Sequence, residues 1–98
     1  LTFKDIKLDM NSYSASRKDE NIELTRTEIL LLEALMKNQG RVLSRDQLVK
    51  RKRIWGDDKI IYDRTIDVHV KNLREKLASS GKIIKTVRGI GYIIDTND

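Results

Sequence analysis

The 98-residue sequence predicts an α+β domain, with strands at both ends and three helices between them. Three observations carry that reading. Apolar and polar residues alternate before residue 25, and two capping boxes then open stretches of helical periodicity. Near the C-terminus, β-branched and aromatic residues return around a glycine-rich turn.

Residues 1–24 read as strands. Ile6, Leu8 and Met10 alternate with Lys7 and Asp9, and Tyr13 and Ala15 repeat the pattern between serines. Lys18-Asp19-Glu20-Asn21 is a polar turn, after which Ile22-Glu23-Leu24 resumes the alternation. The product is a small antiparallel sheet with one wet face.

Thr25 and Glu28 stand at capping-box spacing and start the first helix, whose apolar face is Ile29, Leu31, Leu32, Leu35 and Met36. Gly40 is its expected terminator. Ser44 and Gln47 form a second box, and Leu48 and Val49 start the buried face of a helix expected to run toward Trp55 and stop at Gly56. Residues 57–62 read as a polar loop, and Asp63 as the cap of a third helix through about Ala78. Ser79-Ser80-Gly81 ends it. Ile83-Ile84-Lys85-Thr86-Val87 and Tyr92-Ile93-Ile94 then flank the turn Arg88-Gly89-Ile90-Gly91 as a hairpin over about 83–94. With no repeat or linker, residues 1–98 form one domain.

Composition narrows the function. There is no cysteine, so a disulfide scaffold, a zinc finger and a thiol nucleophile are all excluded. The single histidine, His69, excludes a histidine-rich metal site, and no metal or cofactor is expected. The longest apolar run, Ile29–Leu32, is far short of a membrane span, and no signal-peptide pattern opens the chain. A cytoplasmic setting is the default expectation, and the start at Leu1 rather than Met suggests a piece of a longer protein. No paired carboxylates or nucleophile–base set stands in a recognisable arrangement, so an enzyme is not expected. The net charge of +5 is concentrated: residues 1–40 carry 6 basic and 7 acidic side chains, residues 41–98 carry 14 and 8. A basic half on a near-neutral half points to a polyanion-binding face or, more simply, to a highly charged solvated surface.

The third helix separates into two faces at ~100° per residue. Ile66, Val70, Leu73 and Leu77 form the core stripe. Opposite lie Arg64, Val68, Lys71 and Glu75, with Thr65 and Asn72 beside them. Two cations can hold phosphates, Asn72 can pair bidentately with adenine, and Val68 and the Thr65 methyl can meet a thymine methyl. The same residues also suit an ordinary exposed face. The loop before this helix is longer than that of a simple helix-turn-helix, and the hairpin after it makes the arrangement that of a winged helix. Arg88 at the hairpin tip either enters a minor groove or is a stray surface cation. The flanking glycines allow close approach, to DNA or within a tight turn.

Over essentially its whole length the chain resembles the C-terminal effector domain of OmpR/PhoB-type response regulators. The resemblance rests on Leu24-Thr25-Arg26-Thr27-Glu28, Val42-Leu43-Ser44-Arg45, Ile54-Trp55-Gly56 and Arg64-Thr65-Ile66-Asp67-Val68-His69-Val70. It continues through Leu73-Arg74-Glu75-Lys76-Leu77 and Thr86-Val87-Arg88-Gly89-Ile90-Gly91-Tyr92. It implies a winged helix-turn-helix with a four-stranded N-terminal antiparallel sheet, three helices and a C-terminal β-hairpin wing. The third helix, about 63–78, would enter the major groove and the wing the minor groove. Trp55, Arg64, His69, Lys71, Thr86 and Tyr92 become phosphate-backbone contacts, Thr65, Val68 and Asn72 base readers, and Arg88 the minor-groove residue. Asp67, at the edge of that face, would orient a neighbouring cation.

The same resemblance implies sequence-specific binding of double-stranded DNA in two-component phosphorelay control of transcription. Two such domains would sit head to tail on direct repeats, driven by phosphorylation of a receiver domain that is absent from this chain. A sensor kinase would act only through that receiver. The domain alone would be a weak monomer, and the loop at 56–62 would touch RNA polymerase.

Two departures stand out. Asn72 occupies a position where many relatives carry a basic residue, which moves the expected base from guanine to adenine. Lys50-Arg51-Lys52-Arg53 also places two extra residues between Leu48-Val49 and Ile54-Trp55-Gly56. Two residues rotate a helix by ~200°, so a bulge, a kink or an early helix end is expected there. The basic run itself reads as extra phosphate contacts, a solvated helix end or a localisation-like patch. His69 is a backbone contact or a packed core-edge residue, and Arg74 and Glu28 are intramolecular partners. The alternative from another class is a winged-helix protein-interaction module that docks an acidic partner without base readout.

Overall fold

The computed structural model describes residues 1–56 and 61–95. Four short strands open the chain: β1 (Thr2–Phe3), β2 (Ile6–Asp9), β3 (Ser14–Arg17) and β4 (Glu20–Ile22). They form one antiparallel sheet in the order β1-β2-β3-β4, with Leu8 opposite Ala15 and Ala15 opposite Ile22. Ile6, Leu8 and Ala15 point into the core as the alternation predicted, and Phe3 joins them. Tyr13 does not: it precedes β3 with a positive φ and stands exposed, and β4 ends at Ile22, short of Leu24. The expected four-residue turn is tighter than that. Lys18 and Asp19 alone make it, both with positive φ, and Glu20 and Asn21 already belong to β4. Two positive-φ residues are the signature of the hairpin turn whose twist matches its strands.

Helix α1 (Arg26–Lys37) begins at the predicted capping box: Glu28 donates its N–H to Thr25 Oγ1 while its carboxylate accepts the Thr25 N–H. Residues Glu28 through Met36 are all buried, so α1 is the central strut, packed against α3, α4 and β7. It ends three residues before Gly40. Asn38 is the cap residue, and its side-chain amide donates to the Ala34 carbonyl.

The helix predicted from Ser44 to Gly56 is two helices. α2 (Arg45–Val49) carries the second capping box and stops early, Arg51 is extended at φ −77° and ψ 99°, and α3 (Lys52–Trp55) runs to Gly56. An early end is one of the three outcomes the extra residues required. The break lets Leu48 and Ile54 both face inward, which a continuous helix forbids. Arg53 then forks onto Glu33 of α1 at 2.9 and 3.2 Å, and Lys50 pairs with Asp46. Arg53 thereby ties α3 to α1, whereas the Lys50–Asp46 pair lies on the surface.

α4 (Asp63–Leu77) follows, with Tyr62 as its N-cap residue. Asp63 is therefore the first helical residue and not the cap expected of it, although its charge still suits the helix start. The loop expected over 57–62 lies mostly outside the described residues. Beyond Leu77 the chain does not simply stop: Ala78–Ile83 forms a 3-10 segment that takes in Ser79, Ser80, Gly81 and Ile83. β6 (Ile84–Val87) and β7 (Gly91–Ile94) make the hairpin. A third strand joins it, β5 (Leu43–Ser44), pairing Leu43 with Tyr92 and Ser44 with Gly91 in the order β5-β7-β6. Gly91 permits that pairing, because a Cβ there would lie 2.0 Å from the Leu43 carbonyl oxygen.

Candidate nucleic-acid interface

Helix α4 shows the two faces its periodicity predicts. Ile66, Val70, Leu73 and Leu77 are completely buried. Arg64, Val68, Lys71, Asn72 and Glu75 are exposed, with Thr65 half-buried beside them. Val68 is 51% exposed, an apolar side chain held outward in a row of polar ones.

Arg17, Arg45, Arg53, Arg74 and Lys76 are all engaged inside the molecule, the last with Glu28 at 2.8 Å. By contrast, no described residue forms a side-chain hydrogen bond or ion pair with Arg64, Lys71, Asn72 or Arg88. These four groups sit on the outward side of α4 and at the tip of the wing.

The wing tip is a tight turn in which the Ile90 N–H donates to the Val87 carbonyl at 2.9 Å. Gly89 supplies the positive φ of 74° that the turn needs, and Arg88 stands exposed. The glycines on either side of Ile90 thus serve the turn and the close approach to β5.

A polar cluster fixes the wing to α4. The Tyr92 hydroxyl donates to Asp67 Oδ1, and Arg45 Nε donates to the same oxygen at 2.8 Å. The Arg45 and Arg74 guanidiniums lie 5.3 and 5.4 Å from the Tyr92 ring centre. Arg74 also donates to the Ile84 carbonyl at 3.0 Å and to Thr86 Oγ1 at 2.7 Å. Burial disfavours the Asp67 carboxylate, but the Tyr92 and Arg45 hydrogen bonds outweigh it and hold its pKa below the ordinary value. Burial, and then the bond to Asp67, push the Tyr92 phenol up. Asp67 orients a cation as expected, and that cation is Arg45.

Two expected phosphate contacts have their polar atoms turned inward. Trp55 is 8% exposed, and its only donor, the indole N–H, is bonded to the Leu48 carbonyl at 2.8 Å. Tyr92 is 3% exposed with its hydroxyl on Asp67. Neither can serve a phosphate without giving up its internal partner. The Trp55 ring instead packs on His69, 5.5 Å between centres at a 49° tilt. His69 is half-buried at the edge of a cleft of about 440 Å³ whose walls include Arg26, Lys52 and Arg53. Thr86 is exposed, and its hydroxyl hydrogen remains available while its oxygen accepts from Arg74. Glu28 and Arg74 are both intramolecular partners, though of Lys76 and of the wing, not of each other.

Sequence reasoning named Arg45 and Ile90 only within the wing turn and the motifs of the resemblance and gave neither a role. No local pattern marks the role of Arg45, since its side-chain partners lie 22 and more residues away. Ile90 was visible only as an apolar residue between glycines, and it is 54% exposed at the wing tip.

Residues 19–94 match the family model described as "Transcriptional regulatory protein, C terminal". The chain belongs to that family. It is 43% identical over 94 residues to the phosphate regulon transcriptional regulatory protein PhoB of Rhizobium meliloti, covering 94% of this chain and 40% of that protein. Among solved structures, the DNA-binding domain of the response regulator AdeR, in complex with an intercistronic region, superposes with a TM-score of 0.82 at 29% identity. That match covers 97% of this chain and 98% of the other. The Klebsiella pneumoniae RstA DNA-binding domain, in complex with the RstA box, gives 0.80 at 30% identity over 97% and 95% of the two chains. The fold is thus the winged helix of OmpR/PhoB response regulators, and the domain is of the DNA-binding effector class found in two-component transcription control. The chain spans about two fifths of the length of the curated relatives it matches. Among the described residues no helix is long and apolar enough to cross a membrane, and no group of three metal-ligating side chains assembles.

Proposed function

We propose that this domain binds double-stranded DNA sequence-specifically, with α4 in the major groove and the β6–β7 wing in the minor groove. The observation that carries the reading is the outward set Arg64, Lys71, Asn72 and Arg88, exposed and unengaged on α4 and the wing tip, while Arg17, Arg45, Arg53 and Arg74 are held by internal partners. A side chain with no internal partner and an exposed polar head is free to meet phosphate or a base edge. Thr65, Val68 and Asn72 read bases, Asn72 by pairing bidentately with adenine. Arg64, Lys71, His69 and the Thr86 hydroxyl meet the phosphate backbone, and Arg88 enters the minor groove. Trp55 and Tyr92 act one step back: Trp55 buttresses His69, and Tyr92 locks the wing to α4.

The rest of the reading follows from membership of the family and from the resemblance. The domain performs no catalysis and works in the cytoplasm, where its DNA lies. It pairs head to tail on direct-repeat half-sites, is monomeric without DNA, and is governed by a phosphorylated receiver domain answering to a sensor kinase. Contact with RNA polymerase would fall to the loop at 56–62.

Selection of bound duplexes from a random pool tests this, followed by salt titration on the selected and a scrambled duplex. A recurrent half-site, bound several kcal/mol more tightly than scrambled DNA, is expected. Log affinity should fall with log salt by about 0.9 for each phosphate neutralised. Equal affinity for every duplex would instead favour a module that docks an acidic protein.

A further inference from the structure

The wing tip carries two side chains, and only one of them is charged. Arg88-Gly89-Ile90-Gly91 presents a guanidinium and a branched alkyl group, with the glycines contributing neither bulk nor polarity. Ile90 is fixed at both ends of its peptide unit: its N–H donates to the Val87 carbonyl at 2.9 Å, and its carbonyl accepts the Arg45 N–H at 3.1 Å. Arg45 is itself anchored to Asp67 of α4. The side chain is thus held outward by the same framework that holds the wing against the recognition helix. It remains 54% exposed, although burying it would stabilise the fold. Of the five large apolar residues exposed among the described ones, Val68 and Ile90 stand on the two features that meet DNA in the reading above.

We infer that Ile90 is a second minor-groove contact, an apolar wedge that packs against the deoxyribose walls beside the Arg88 guanidinium. The sugar C–H groups that wall the minor groove offer apolar surface for such a side chain, and minor-groove proteins commonly use apolar side chains beside their cations. The two residues divide the work. Arg88 senses the negative potential, which depends on groove width, and Ile90 senses the shape and spacing of the walls. This inference rests on the DNA-binding reading.

The two contacts differ in how they respond to salt, so titration separates them. On the selected duplex, Ile90→Ala should bind about fivefold to tenfold more weakly, the loss expected of a half-buried alkyl group. Its salt slope should match the parent, because no counterion is released by an alkyl contact. Arg88→Ala should weaken binding and flatten the slope together. Ile90→Val should retain most of the affinity, and Ile90→Thr, which has the shape of the valine variant but is polar, should not. Ile90 is exposed, so its variants should melt within a few degrees of the parent. Parent-like binding by Ile90→Ala, while Arg88→Ala is weakened, would overturn the wedge and leave the DNA reading standing. Failure of the parent domain to prefer any duplex would overturn both.

Discussion

Asn72 and Lys71 are adjacent in sequence, both exposed, and free of internal partners, yet they differ in what a truncation removes. An amide that pairs with one base edge contributes discrimination at one position; an ammonium on a phosphate contributes affinity everywhere. Asn72→Ala should therefore cost about 1–3 kcal/mol on the selected duplex and relax preference at a single base position. Lys71→Ala should weaken all duplexes alike and flatten the salt slope by about one unit. Parallel titrations on matched and singly substituted duplexes check both. Neither change should move the melting temperature much, since an exposed side chain without partners contributes little to folding. Unchanged selectivity in Asn72→Ala would remove this face of α4 from base readout.

Between elements, the joint that matters most is β5 with β7. Ser44 serves twice, as the partner of Gly91 and as the residue that caps α2, so the wing and α2 share one anchor. Gly91→Ala would drive a Cβ into the backbone of β5, 2.0 Å from the Leu43 oxygen and 2.8 Å from Ser44 Cα, and backbone cannot rotate away. The pairing must open. The urea midpoint should fall by the equivalent of about 2–3 kcal/mol, as for other overpacked sites. Specific DNA binding should weaken more than non-specific binding, because the wing loses its registration on α4.

This joint also shows where sequence is legible. The two faces of α4 were readable because fifteen helical residues repeat one period, and the break after Val49 because two inserted residues violate it. β5 was not readable, since a two-residue strand has no period. The inward role of Tyr92 was hidden for another reason: its partner Asp67 lies 25 residues away, and no local pattern marks such a pair. Trp55 belongs to the same class, its indole hydrogen bond existing only because the helix breaks between it and Leu48.

Across the whole molecule, three carboxylates tie together elements that are distant in the chain. Glu28 joins α1 to α4 through Lys76, Glu33 joins α1 to α3 through Arg53, and Asp67 joins α4 to α2 and β7. At each, burial opposes ionisation, and the donors around the carboxylate more than offset it, so all three pKa values lie below their ordinary ones. The sign of the pH dependence follows. A carboxyl group with a lower pKa folded than unfolded binds protons more readily in the unfolded chain. Its stabilisation is complete above the ordinary carboxylate range near about pH 4 and is lost as pH falls through the folded value. Urea midpoints should be flat from neutral pH to about 5.5 and drop steeply below about 4.5. Glu33→Gln keeps the shape but removes one titrating group, so the variant should be less stable at neutral pH and show a shallower acid limb. The two curves should converge as the parent loses the same charge. If they instead stay parallel to the lowest pH at which the fold survives, the Glu33–Arg53 pair does not contribute to acid sensitivity, and the joint between α1 and α3 is held by Ile54 and Trp55 packing alone.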